Sequence, residues 1–226
     1  MKLIKHTAKT RKSVWSRAMD RYKKHTEIKQ PTRIGFLIDA TRSREKTWEQ
    51  AQTIQAKMFR AASGLKAIKL RLVYFGGGCL SALGWENDAY SVAENMAAVR
   101  CRAGLTQIIE GLQSFLAETP EDKATAIILI GDCFEENSGQ AERAAILLKE
   151  KGIKVFSFIE GNDPTAQSVF RRLSEITGGQ FARFGSDLPL SDLCEGVALL
   201  TSGGEKALGR LKNKSVRTLL LGPKRD

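Results

Sequence analysis

The sequence predicts an α/β fold: a doubly wound, mainly parallel six-stranded sheet with one antiparallel edge strand and helices on both faces. Three observations predict it. Short apolar runs such as 34–38 and 126–130 suit strands buried on both sides and are too short for helices. They alternate with amphipathic stretches of helical period, the pattern of parallel strands joined by crossover helices. One connection, Gly76-Gly77-Gly78, is too short for a crossover, so it turns the chain back as a hairpin and adds an antiparallel edge strand.

The elements follow in order. In 9–25, Trp15, Met19 and Tyr22 recur at helical spacing among Lys and Arg, which predicts an amphipathic helix. Its stripe either packs on the domain or binds a partner. Pro31 marks a boundary, and 34–38 is the first strand. Residues 45–63 read as a helix with Trp48, Ala51, Ile54, Met58 and Ala62 on one face, stopped by Gly64. A strand at 68–75 and its hairpin partner at 80–85 come next. A short helix or irregular stretch covers 91–100, and a helix at 107–117 opens behind Gly104-Leu105-Thr106. Strand 124–130 ends at Gly131-Asp132. Helix 141–151, strand 153–159, helix 165–177, strand 180–184 and helix 188–200 complete the alternation. From Thr201 a linker leads to a basic tail, in which 216–221 reads as an extra strand. The division is a basic helical arm (1–32), the α/β domain (33–200) and a basic tail (201–226).

Composition narrows the function. At 42% hydrophobic and 27% charged residues, the 226-residue chain has the make-up of a soluble globular protein. No apolar run is long enough to span a bilayer and the first residues lack the apolar stretch of a secretory signal, so a cytoplasmic protein is expected. Cys79, Cys101, Cys133 and Cys194 form no Cys-x-x-Cys pair, which argues against a disulfide framework or a structural zinc site. Both histidines, His6 and His25, precede the domain, which argues against Ser-His-Asp or Cys-His hydrolysis and histidine-ligated metals. The formal charge of +11 is uneven: 1–33 hold 11 Lys/Arg and 2 Asp/Glu, 205–226 hold 7 and 2, and the remainder holds 18 and 21. Basic ends on a mildly acidic body predict docking arms, for nucleic acid or for an acidic protein.

The informative stretch is Asp39-x-Thr41-x-Ser43. It places one carboxylate and two hydroxyls at the carboxyl end of an inner strand, where open α/β sheets bind ligands. Three hard oxygens suit a cation such as Mg²⁺. The same residues also suit a strand end and a helix cap. Asp132 ends another inner strand, and Thr106 stands just before a helix. If those strands are neighbours where the sheet reverses direction, all three loops meet in one crevice. Cys133 reads as a small half-buried core residue, and Glu135 and Glu136 as solvated loop acids.

The set Asp39, Thr41, Ser43, Thr106 and Asp132, in this order and with the hairpin between the first helix and the threonine loop, resembles the metal-ion-dependent adhesion site (MIDAS) of von Willebrand factor type A (vWA) domains. The resemblance covers about residues 33–200. Thr41 stands where that family has serine, Gly104-Leu105-Thr106 replaces Gly-Gly-Thr, and Cys133 follows Asp132 in place of glycine. The resemblance implies that Thr41, Ser43 and Thr106 supply hydroxyls to Mg²⁺ or Mn²⁺ and that Asp39 and Asp132 hold it, partly through water. One coordination position is left for a carboxylate from a protein partner. Arg42 and Arg44 would offset the charge of the metal loop or meet an acidic ligand. Similarity to intracellular members implies an adaptor or scaffold, working with an ATPase of the AAA+ type, and no catalysis. The alternatives are a nucleic-acid-associated adaptor using the basic ends and a Mg²⁺-dependent phosphotransferase or phosphatase with Asp39 as nucleophile. The latter lacks a second aspartate at position 41 and a clear catalytic lysine.

Overall fold

A computed structural model describes residues 30–44, 54 and 67–223. The expected helices at 9–25 and 45–63 lie outside the described residues, apart from Ile54, which is helical and buried. The chain divides into two compact units, 1–30 and 31–226. The second holds a six-stranded sheet of β1 (Thr32–Asp39), β2 (Ile68–Gly76), β3 (Cys79–Glu86), β4 (Ala126–Gly131), β5 (Lys154–Ile159) and β6 (Phe181–Arg183), in the order β3-β2-β1-β4-β5-β6. All pairings are parallel except β2–β3. The β2–β3 turn places Gly77 and Gly78 at φ of 67° and 77°, the left-handed pair that a two-residue hairpin needs.

The helices are α1 (Ala89–Ala98), α2 (Ile108–Leu116), α3 (Ser138–Glu150), α4 (Pro164–Thr177), α5 (Leu190–Leu208) and α6 (Lys214–Leu221). Alternate residues of the inner strands feed two cores. Ile34, Phe36, Ile38, Leu70, Ile128 and Phe156 share one with Val92 and Met96 of α1 and Leu193 and Val197 of α5. Leu37, Val73, Ile127, Leu129 and Val155 share the other with residues of α2, α3 and α4. β1 and β4 are buried along their whole length, as their unbroken apolar runs require. Among the described residues no helix is long and apolar enough to cross a membrane.

Residues 201–221 differ from the expected linker and strand. α5 runs on to Leu208 through a kink at Gly204 (φ 69°), and 214–221 is the helix α6. The reason is the pair Val216 and Leu220, four residues apart, both buried in the first core with Leu211. The Asn213 side chain caps α6, accepting from Val216 N–H at 3.1 Å. A leucine run that looks extended is thus one turn of an amphipathic helix.

α2 sits unusually close to β1. A Cβ on Gly35 would overlap the fully buried Phe115 ring, and one on Gly111 would overlap the Leu37 side chain. Strand and helix each offer a glycine to the other's large residue, which fixes how the middle and end of α2 lie along β1. Gly35→Ala is expected to cost about 1–3 kcal/mol by overpacking. Urea unfolding of the single variant and of Gly35→Ala with Phe115→Leu measures it; the smaller ring-site residue should restore part of the loss.

Candidate metal centre

Three loops build the site, and the sheet order brings them together. β1 lies between β2 and β4, so the chain reverses direction across the β1–β4 pair. Ile38 pairs with Ile130, which puts Asp39 level with Gly131 and Asp132 one residue beyond.

The first loop turns on Asp39. This residue is fully buried, and its Oδ1 accepts the Thr41 N–H at 2.7 Å, an aspartate folding its own loop. Thr41 is buried and its Oγ1 lies 3.1 Å from Ser43 Oγ, while Ser43 and Arg42 are exposed on a 3-10 turn, Arg42–Arg44. The Arg44 side chain lies outside the described residues.

The second loop, 101–107, is seated on the first by its backbone. Arg102 N–H donates to Ala40 C=O at 3.0 Å, and Ala40 N–H donates to Phe75 C=O at 2.8 Å. A Cβ on Gly76 would stand 2.5 Å from the Ala40 carbonyl oxygen, and one on Gly104 2.8 Å from the Gly77 and Gly78 nitrogens. The glycines of the hairpin turn are therefore also a platform for the Thr106 loop, a role their sequence does not reveal.

The third loop locks the second. Thr106 is buried; its Oγ1 accepts Glu135 N–H at 3.1 Å, and its own N–H donates to Glu135 Oε2 at 3.3 Å. Glu136 receives the first free N–H groups of α2, from Ile108 at 2.6 Å and Ile109 at 3.0 Å. Glu135 is exposed, as expected from sequence, but also bonds Thr106, whereas the half-buried Glu136 is not the solvated loop acid expected. Glu136 does the capping that Gln107 does not, and a carboxylate at a helix N-terminus is also favoured by the dipole.

Ligand-capable atoms of Asp39, Asp132 and Cys133 lie within 4.8 Å of one another. Asp132 Oδ1 is buried and has no hydrogen-bond partner among the described residues. Two carboxylates this close repel, and a buried carboxylate oxygen without a donor is costly. A divalent cation answers both, so the residues fit a metal. Burial first, then the negative charges of Asp132 and Asp39, push the Cys133 thiol up to about 12, so in the metal-free chain it is neutral. Cys133 is half-buried, as the sequence suggests, but it lies beside both aspartates and not simply in the core.

Solved structures share this architecture. The BatB protein from Bacteroides thetaiotaomicron superposes with a TM-score of 0.59 at 16% identity, over 80% of this chain and 98% of that one. The SpRpn10 VWA domain gives 0.58 at 13% identity, over 76% and 98%. Proximal thread matrix protein 1 from the mussel byssus, in a structure with a zinc-occupied MIDAS motif, gives 0.59 at 18% identity, over 76% of this chain and 46% of that one. This chain has the vWA fold. Neither a protein-family model nor a curated protein sequence matches it. In the vWA fold of this chain the crevice at the β1–β4 ends is where Asp39, Asp132 and the Thr106 loop converge.

Proposed function

We propose that this chain is a divalent-cation-dependent protein-interaction module, an adaptor that captures a carboxylate of its partner. The observation that carries the reading is the buried, unpartnered Asp132 Oδ1 beside Asp39 at the fold's ligand-binding end. Asp39, Thr41, Ser43, Thr106 and Asp132 would hold the cation, and Mg²⁺ or Mn²⁺ suits this oxygen-rich set. When bound, the cation supplies a Lewis-acidic position for an acidic side chain. The chain's own residues shape that position: Asp39 and Thr41 fold the first loop, and Glu135 holds the Thr106 hydroxyl in place.

The test is thermal. At free Mg²⁺ or Mn²⁺ about 100 times Kd, a ligand bound only by the folded state adds about 2.7 kcal/mol, which raises Tm by about 5–10 °C for a domain of this size. The wild type should show this rise and Asp132→Ala should not. Equal shifts in both would refute the site.

A further inference from the structure

The rim of the crevice carries a second pattern, independent of the metal ligands. Arg42 directly follows Thr41 and is exposed. Arg102 is exposed too; its N–H is held by Ala40 C=O, and its stem lies over Gly77, where a glycine Cβ would meet it at 3.1 Å. Neither guanidinium has an ion pair among the described residues. Leu105, next to Thr106, is 69% exposed, as exposed as any large apolar side chain described. It sits on a loop fixed from both sides, by Gly104 on the hairpin turn and by Thr106 on Glu135. An exposed leucine on an anchored loop, three residues after an exposed arginine without an ion pair among the described residues, is a poor arrangement for solvent and a good one for a ligand.

Charge says what kind of ligand. With a divalent cation bound, the charges of Asp39 and Asp132 are offset, which leaves the exposed Arg42 and Arg102, on two loops joined through Ala40, with the exposed Glu135 beside Thr106. The rim of these loops presents two cations without an ion pair among the described residues and an exposed leucine. We infer that its ligand is an acidic-apolar protein segment. One carboxylate goes to the metal, a further acid goes to Arg42 or Arg102, and an apolar side chain covers Leu105. This rests on the metal-dependent reading above and adds the partner's chemistry to it. Phosphates of a nucleic acid would satisfy the arginines but leave Leu105 uncovered.

The experiment uses the full chain in saturating Mn²⁺ and a fluorescein-labelled decapeptide of alternating glutamate and leucine, read by polarisation. Controls are the same peptide with glutamine for glutamate, the same with serine for leucine, and a single-stranded oligonucleotide as competitor. Arg102→Glu should weaken peptide binding by about tenfold or more. Leu105→Ser should weaken it by about fivefold. Both should keep the Mn²⁺-induced rise in Tm, since neither side chain holds the metal. Either peptide control should bind more weakly than the parent. Binding that ignores both variants, no binding of the parent peptide, or displacement of the peptide by the oligonucleotide at lower concentration than by unlabelled peptide overturns the inference while leaving the metal site standing. Absence of any Mn²⁺-induced rise in the wild type overturns both.

Discussion

Arg71→Leu is expected to remove about 3–5 kcal/mol of folding stability, the cost of stranding one partner of a buried ion pair. Arg71 lies on β2 with its side chain 15% exposed, and its partner Glu118, just past α2, is 8% exposed. Arg71 Nε donates to Leu83 C=O of β3 at 2.8 Å, its guanidinium stands 5.3 Å over the Phe115 ring, and Glu118 accepts Ala124 N–H at 3.2 Å. One ion pair thus ties the edge hairpin, the end of α2 and the approach to β4. Burial is the main reason that the Glu118 carboxyl is held above its ordinary value near 4.5, against the pull of Arg71. The folded chain therefore keeps this proton more tightly than the unfolded one, and stability from this group falls as pH rises from about 4.5 through the raised value. Without Arg71 that pull is gone and the fall should extend to higher pH. Urea midpoints across pH 4–8 check it. The deficit of Arg71→Leu should shrink toward pH 4, and adding Glu118→Gln should recover most of it at pH 7. A deficit that is flat in pH and unrelieved by Glu118→Gln would mean that the loss is one of packing.

The parts of this molecule that its sequence revealed are those set by local pattern. The unbroken apolar runs of β1 and β4, the glycine turn and the alternation of strand and helix specify the sheet, because each is decided by neighbours within about ten residues. Asp39 and Asp132 could be placed together because strand ends and sheet reversal follow general rules. What stayed hidden depends on contacts between distant segments. Glu136 caps a helix that begins 28 residues earlier, and Gly76 matters because Ala40 and the Arg102 loop come to rest on its side of the sheet. Cys133 reads as half-buried, as it is, but nothing local in sequence tells that the Asp39 carboxylate from another strand end lies beside it. α6 was missed since Leu219, Leu220 and Leu221 suggest a strand; only Leu220 is buried, with Val216 one turn before it.

Asp39→Asn is expected to act with opposite sign in the two states of the centre. Without metal, Asp39 and Asp132 face each other with ligand atoms inside 4.8 Å, and removing one charge relieves that repulsion. The amide keeps the oxygen that accepts the Thr41 N–H, so the loop keeps its fold. Metal-free Tm should therefore stay level or rise. With metal, the neutral amide contributes far less to a hard dication than a carboxylate does, and affinity should fall at least about 100-fold. Capture of an acidic peptide should fall with it, since both depend on the same cation. Calorimetric titration with Mn²⁺, melting curves with and without it, and peptide polarisation separate these effects. A drop in metal-free Tm would mean that Asp39 acts mainly as a structural anchor. A peptide that still binds would detach partner capture from the metal. The rival phosphotransfer reading makes Asp39 a nucleophile, so incubating the wild type with acetyl phosphate and Mg²⁺ should then leave a phospho-aspartyl adduct at Asp39 by mass spectrometry. On the module reading no such adduct forms, and a carboxylate that reaches the cation is simply held.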